Sequence, residues 1–393
     1  MKISLATNYD NDLIDQIKDY PVYEVYGKLK NDFIGGGRPD NTLENLNVKR
    51  FEQHVKKVRD SGIRFNYLLN GSCLSNNEQD EKWQRDFKNF LNYIKSIGVN
   101  SLTITNPYIL MFVKKHFKDD FQVRISTFAC IDSYSKAKYW EDMGADLLCI
   151  DFVKINRDFE TLKYMVTHLK KAKIEILVTN SCLKNCPMIY THTNGLSHAS
   201  SKGNDTNNYE DWSLFYCQKY ELVNLEEYIK SPWVRPEDIK YYEKIGIEHF
   251  KITERGFPTS ELVKRVKAYC SGYYDGNLLD LIQGHGVVES GNLKLIKKDV
   301  TNRKDIYDEI KRVRGLGVPR ECKRHVYIDN TKLDGFIDYF IKGKCTGNCD
   351  TCGYCKLVAK KVITRNDEVS DYLLELYDKF DNIKLGSYEK NWN

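Results

Sequence analysis

Cys182 and Cys186 stand close together in the run Asn180-Ser-Cys-Leu-Lys-Asn-Cys-Pro187, directly after the apolar run Ile174-Glu-Ile-Leu-Val-Thr179. A strand that feeds a turn with this spacing lets two sulfurs face one metal centre. Cys73 upstream and Cys217 downstream each offer a further ligand. Twelve cysteines in a chain without a secretory type of N-terminus are read more economically as metal ligands or reduced buried thiols than as disulfides. Four thiolates hold either tetrahedral zinc or an iron–sulfur cluster. Structural zinc usually takes two close cysteine pairs. The set Cys73, Cys182, Cys186 and Cys217 has one close pair and two scattered thiols, which favours a [4Fe-4S] cluster whose distances a rigid scaffold fixes. Cys130, Cys149 and Cys270 fall in apolar contexts and read as packing.

A second set is denser. Cys345, Cys349, Cys352 and Cys355 place four thiols in eleven residues, which packing seldom produces, so a second metal centre is expected there, iron–sulfur or zinc. The first three also have the spacing of radical S-adenosylmethionine enzymes, but in those the triad follows the first barrel strand. One loop supplies all four ligands, so the centre is expected to form independently of the first.

The elements that must position these groups show an α/β rhythm. Eight β-rich runs are expected as strands, Lys2–Ala6, Val22–Tyr26, Arg64–Leu69, Ser101–Thr105, Gln122–Thr127, Asp146–Ile150, Ile174–Thr179 and His249–Thr253. Between them lie amphipathic helices such as Val48–Asp60, Glu81–Ile97, Tyr134–Met143, Arg157–Lys171 and Pro236–Ile245, several closed by glycine. Eight βα units match a (β/α)8 TIM-type barrel over residues 1–274, with a doubly wound open sheet as the alternative. Residues 275–393 break the rhythm and read as a smaller Cys-rich C-terminal region of short helices round one strand, His325–Asp329. In a barrel, residues just after the strands gather on one face, where active sites form. Those positions include Gly35-Gly-Gly-Arg38, Cys73, Asn180 with Cys182 and Cys186, and Glu254 with Arg255. Arg38 and Arg255 can grip a carboxylate in bidentate fashion. Lys251 and Glu254 are acid–base candidates, with a barrel-interior ion pair as the alternative. Ser200–Asp211, the most polar stretch, reads as a mobile loop ahead of Cys217.

The balance of 60 basic and 55 acidic residues gives a net charge of +5 spread along the chain, which permits nucleic-acid binding without indicating it. No run of membrane-spanning length is present, so a cytoplasmic protein with no membrane association is expected.

The cysteine turn with His192 behind it, followed by Ser231-Pro-Trp-Val-Arg-Pro-Glu-Asp-Ile239, Tyr241-Tyr-Glu-Lys-Ile-Gly246 and Phe250-Lys-Ile-Thr-Glu-Arg-Gly256, resembles the collagenase-like family of unassigned peptidases, family 32. The resemblance covers roughly residues 1–275. It implies a barrel carrying a [4Fe-4S] cluster on four cysteines, with Cys182 and Cys186 matching the family's cysteine turn and Cys217 the following ligand position. Cys73 matches a branch that takes a ligand from an early strand end. Several members are oxygen-independent hydroxylases of small molecules or RNA bases, with prephenate as the implied oxygen donor; others are described as proteases. Some work as two-protein assemblies, which implies an unlike subunit or electron donor, and a non-catalytic scaffold role for this chain is a further reading. The chain departs in lacking the long collagenase-type extension and in carrying the C-terminal quartet. A peptidase reading finds no Gly-x-Ser-x-Gly or His-Glu-x-x-His, and leaves Cys186 with His192 as nucleophile and base.

Overall fold

The computed structural model describes residues 1–30, 32–38, 44–201, 211–253, 256–282, 287–289, 298–313 and 322–386. Eight parallel strands, β1 (Lys2–Ala6), β2 (Val22–Gly27), β3 (Arg64–Leu69), β4 (Ser101–Ile104), β5 (Gln122–Ile125), β6 (Leu147–Cys149), β7 (Lys173–Leu177) and β8 (His249–Ile252), close into a barrel in sequence order. Closure is made by β1 against β8, with Lys2 opposite His249 and Leu5 opposite Ile252. Periodicity cannot report this pairing; the barrel expectation holds and the open sheet does not. Every expected strand is found within one to two residues of its expected ends.

Alternation along the strands divides the fold into two environments. Ile3 and Leu5, Val25, Phe65 and Tyr67, Leu102 and Ile104, Val123 and Ile125, Ile174 and Ile176 belong to the main apolar core shared with the helices. The intervening positions carry polar groups that pair with one another. Arg124 is held between Glu24 and Glu175, its Nε 3.1 Å from the Glu175 carboxylate. Ser4 donates to Glu175 at 2.8 Å, Asn66 to Glu24 at 2.8 Å and Thr103 to Asn66 at 3.0 Å. Removing one partner of so buried a set would strand a charge.

Helices follow most strands and close where the glycines fall: Gly62, Gly98, Gly144 and Gly246 all take positive φ after a helix. The helix Val48–Asp60 shows the local logic, with Asn47 capping its start by accepting from the Arg50 amide at 2.8 Å and Phe51, Val55 and Val58 turned to the core. Glu141, on the helix Tyr134–Asp142, accepts from the amides of Lys170, Lys171 and Ala172 at 2.7–2.9 Å and so fixes the entry to β7. One expected helix is divided: Pro236–Ile245 becomes a 3-10 turn, Pro236–Asp238, followed by the helix Ile239–Lys244.

The C-terminal region packs on the barrel without a break in the core at residue 275. Val326, Phe336, Val362, Leu373 and Phe380 lie in the same buried cluster as Ile3 and Trp233. Trp233 packs on Phe336 at 5.5 Å between ring centres, and Arg235 donates to the Asn330 carbonyl at 2.9 Å. Two small antiparallel ribbons, β9 (Val287–Glu289) with β10 (Cys322–Arg324) and β11 (Val326–Ile328) with β12 (Ile363–Arg365), complete the region. Among the described residues no helix is long and apolar enough to cross a membrane.

Two buried histidines give the fold an acid-sensitive window. Burial, aided by Arg50, pushes the His54 imidazole down to about 4 where it shares hydrogen bonds with Thr7 and Asn11; burial does the same to His249. An unfolded histidine charges near 6.5, so between pH 6.5 and 4 the unfolded state binds more protons and stability falls as pH falls. His54→Gln is expected to remove about 3 kcal/mol of that loss. The measurement is the unfolding free energy of both proteins across this range, and parallel curves would contradict it.

Candidate active site

The thiol turn hangs between two strand ends that are tied together. Val178 donates its amide to the Lys251 carbonyl at 3.0 Å, and the Thr253 amide donates to the Thr179 hydroxyl at 2.8 Å. Asn180 then accepts from the Cys182 amide at 3.0 Å, closing a tight side-chain turn, and the Asn185 amide reaches the Val153 carbonyl at 3.1 Å. Past Pro187 the chain enters the helix Ile189–His198. Most of the expected loop Ser200–Asp211 lies outside the described residues; Asp211 itself caps the helix Trp212–Val223, which carries Cys217.

This path brings three of the four expected thiols together. Cys186 and Cys217 share a buried cluster with Leu183, flanked by Met188 and Ile189. Cys182 packs against Cys149, Phe152, Val153 and Leu177. The Cys217 thiol donates to Cys186, and this bond, with the Met188 and Ile189 amides and the nearby His192 working against burial, pulls Cys186 down to about 6. Cys217 is pushed up by the same bond and by burial. Cys182 is pushed up by burial and by the charges of Cys186 and Glu221, with Arg38 opposing. The shared bond thus favours the thiolate at Cys186 and the thiol at Cys217, and a cation would favour thiolates at all three.

Further groups frame the pocket. His192 Nε2 lies 3.0 Å from Asp211 Oδ2. Glu221, fully buried four residues after Cys217 on the same helix, faces the thiols. Loops from β2 and β3 clamp the helix Ile189–His198: the Gly36 amide donates to Ser200 at 2.7 Å, and the Ser72 amide and hydroxyl bond to Ser197 and Asn194 at 2.9 and 2.5 Å. Gly35 is required by this approach, since a Cβ there would lie 1.9 Å from the Ser197 carbonyl oxygen. Behind the loop, Lys28 pairs with Asp32 at 2.8 Å and Tyr67 donates to Asp32 at 2.7 Å, all buried.

The other expected site residues separate. Arg38, partly exposed, lies within electrostatic reach of Cys182, where it was expected to meet substrate. Cys73 sits on the same mouth but is held in its own loop, its sulfur accepting from the Ser75 amide at 3.4 Å. Lys251 is buried with its ammonium 4.3 Å from the Tyr26 ring centre, and after Arg124 it helps hold the Glu175 carboxyl below its usual range. Glu254 and Arg255 lie outside the described residues. Glu221 and Asp211 were missed by sequence reasoning; recognising the helix Trp212–Val223 would have placed Glu221 one turn beyond Cys217, on its face.

The sequence profile described as peptidase family U32 matches residues 38–273, more than half of the chain. The chain belongs to peptidase family U32. It is 28% identical over 341 residues to an uncharacterized protease of Methanocaldococcus jannaschii, covering 87% of this chain and 89% of that one. It is also similar to the solved structure of a U32 peptidase, at 17% identity and a TM-score of 0.49, covering 65% of this chain and 93% of that one. The U32 profile thus spans the cysteine turn, Cys217 and the clamping loops from Arg38 onward, and ends before the C-terminal quartet.

That quartet lies against the same turn. Lys184, between Cys182 and Cys186, donates to the Cys345 sulfur at 3.3 Å, and the Tyr339 hydroxyl and Cys352 sulfur are 3.2 Å apart. Burial pushes Cys355 up to about 11 against the opposing charge of Arg157. Among the described residues no group of three Cys, His, Asp or Glu side chains already closes on one metal-sized point. Ligation at either thiol set therefore requires the side chains to turn inward.

Proposed function

We propose that this U32 family member is an iron–sulfur oxidoreductase of the oxygen-independent hydroxylase type, acting on a small-molecule or RNA-base substrate at the barrel mouth. The observation that carries the reading is the approach of Cys182 to the buried Cys186–Cys217 pair at the strand ends, a donor set that suits a soft cationic cluster. Cys73, on the neighbouring loop, is the fourth ligand in this reading. The cluster when bound would supply an electron-transfer or open-iron centre. The chain's own groups do the rest. Arg38 beside the pocket offers a guanidinium for a carboxylate-bearing substrate or donor. The Gly35–Gly37 loop, pressed on the helix Ile189–His198, shields one side from water, and Lys28, Asp32 and Tyr67 hold that loop from behind.

A peptidase is the second reading, favoured by the grouping of Cys186 with His192 and Asp211 and by the likeness to the uncharacterized archaeal protease. In it the Cys186 thiolate is the nucleophile, His192 the base and Asp211 the group that orients the imidazole. The two readings make incompatible demands on Cys186. Anaerobic purification with iron and sulfide analysis separates them: about four irons with matching sulfide per chain and a broad visible absorbance support the cluster. A colourless, iron-free protein that stays so after anaerobic reconstitution and cleaves peptides would overturn it.

A further inference from the structure

Arg157 is buried between the barrel and the C-terminal region, its guanidinium 4.2 Å from the Trp233 ring centre and 5.0 Å from that of Phe336. Its recorded hydrogen bonds go to backbone carbonyls, those of Ile229 and Trp233 at 2.9–3.3 Å. Among the described residues no carboxylate is in ion-pair contact with it; Asp238, the carboxylate that acts on it from a distance, is engaged by Arg235 at 3.0 and 3.1 Å. A buried cation held only by neutral acceptors is costly and calls for a counter-charge. Also facing it are the Tyr242 phenol, which donates to the Asn156 carbonyl at 2.9 Å, and the sulfurs of Cys355 and Cys345.

The same arrangement surrounds the rest of the quartet. Lys184 donates to Cys345, and Lys230, paired with Glu227 at 2.7 Å, reaches Cys349 electrostatically. All four quartet cysteines are only partly buried, so they do not build a core of their own. A cleft of about 1100 Å³ opens onto Arg157, Lys184 and Cys345 and gives a route in from solvent.

We propose that Cys345, Cys349, Cys352 and Cys355 form a four-thiolate metal centre, and that the barrel supplies its counter-charges through Arg157, Lys184 and Lys230. Four thiolates around either zinc or a [4Fe-4S] core leave a dianion, which three cations on one side offset. Ligation deprotonates the thiols and gives Arg157 the anionic partner it lacks. The centre thus pins the C-terminal region to the barrel through the negative charge of the bound thiolates. It does not depend on what the barrel thiols hold, and its failure leaves the proposed activity untouched.

The test uses the full-length chain, loaded in one arm with zinc alone and in the other with ferrous iron and sulfide under anaerobic conditions. Cys349→Ser with Cys352→Ser is expected to bind one zinc fewer, or about four irons fewer, than the parent in whichever arm the quartet accepts. Cys182→Ser with Cys186→Ser is expected to keep that centre. Lys184→Met and Arg157→Met are expected to keep the stoichiometry but lose metal to a chelator at least tenfold more readily, as loss of supporting groups around ligands does. Equal metal content in the parent and the quartet variant in both arms would overturn the centre. Parent-like retention in Lys184→Met, whose side chain lies at the open cleft and whose folding is checked by circular dichroism, would overturn the counter-charge role even if Arg157→Met fails to fold.

Discussion

If the barrel holds the proposed cluster, Cys182→Ala and Cys186→Ala are each expected to remove its iron, about four atoms per chain, while the protein remains folded. The two thiols stand on a turn whose backbone is fixed by other groups. Asn180 holds the Cys182 amide, the Asn185 amide is bonded to Val153, and the strand ends behind are tied through Thr179 and Thr253. Loss of a sulfur therefore removes a ligand without releasing the turn. Cys182 is enclosed by Cys149, Phe152, Val153 and Leu177. Cys217→Ala should behave alike, because its sulfur meets Cys186 directly. His192→Ala gives the contrasting arm: iron should persist, since His192 is engaged by Asp211 rather than by the thiols, whereas a peptidase would lose its base. Undiminished iron in the Cys182 and Cys186 variants, measured beside a parent that holds four, would remove the cluster reading.

A chain ending at residue 274 is expected to lose its native fold around the thiol pocket, against the sequence-based expectation of independent centres. The helix Trp212–Val223, which carries Cys217, is packed on the helix Asp367–Gly386. Phe215 lies 5.0 Å from Phe380 and 5.8 Å from Tyr377 between ring centres, Tyr377 donates to Gln218 at 2.9 Å, and Lys219 binds Asp378 and Asp381 at 2.6 and 2.7 Å. Truncation also uncovers Trp233 and strips Arg235 of the Asn330 carbonyl. At about 1.5–3 kcal/mol for each large apolar side chain returned to water, exposing Phe215, Trp233 and their neighbours approaches the whole stability of an ordinary domain, about 5–15 kcal/mol. Thermal unfolding and iron content are the readouts. A truncated chain that melts with the parent and keeps the barrel iron would show that the region is merely attached.

Much of the architecture was legible in one dimension because its causes are local. Runs such as Lys2–Ala6 and Arg64–Leu69 favour extended backbone by residue type, and the helices between them declare their ends through Asn47, Gly62 and Gly98. Eight such units have few ways to pack, so strand count alone pointed to the barrel. The thiol turn was legible for the same reason: Cys182 and Cys186 follow a strand at a spacing that one turn can present.

Other features depend on residues distant in sequence. Nothing near Arg124 announces that it lies between Glu24 and Glu175, one on either side of it in sequence, because a barrel interior is assembled by closure. Lys251 reads from its strand-end position as an acid–base candidate or an interior pair, and closure is what sets it over Tyr26 and near Glu175. Glu221 and Asp211 enter the pocket only because the helix Trp212–Val223 folds back over the turn. The two cysteine sets were each visible by spacing, and their relation was not. Lys184 meets Cys345 across 161 positions of sequence. Residue types and local periodicity determined the strands, the barrel and the presence of two thiol sets; docking of the C-terminal region decided which charges face them, since burial and electrostatics act through space and not along the chain.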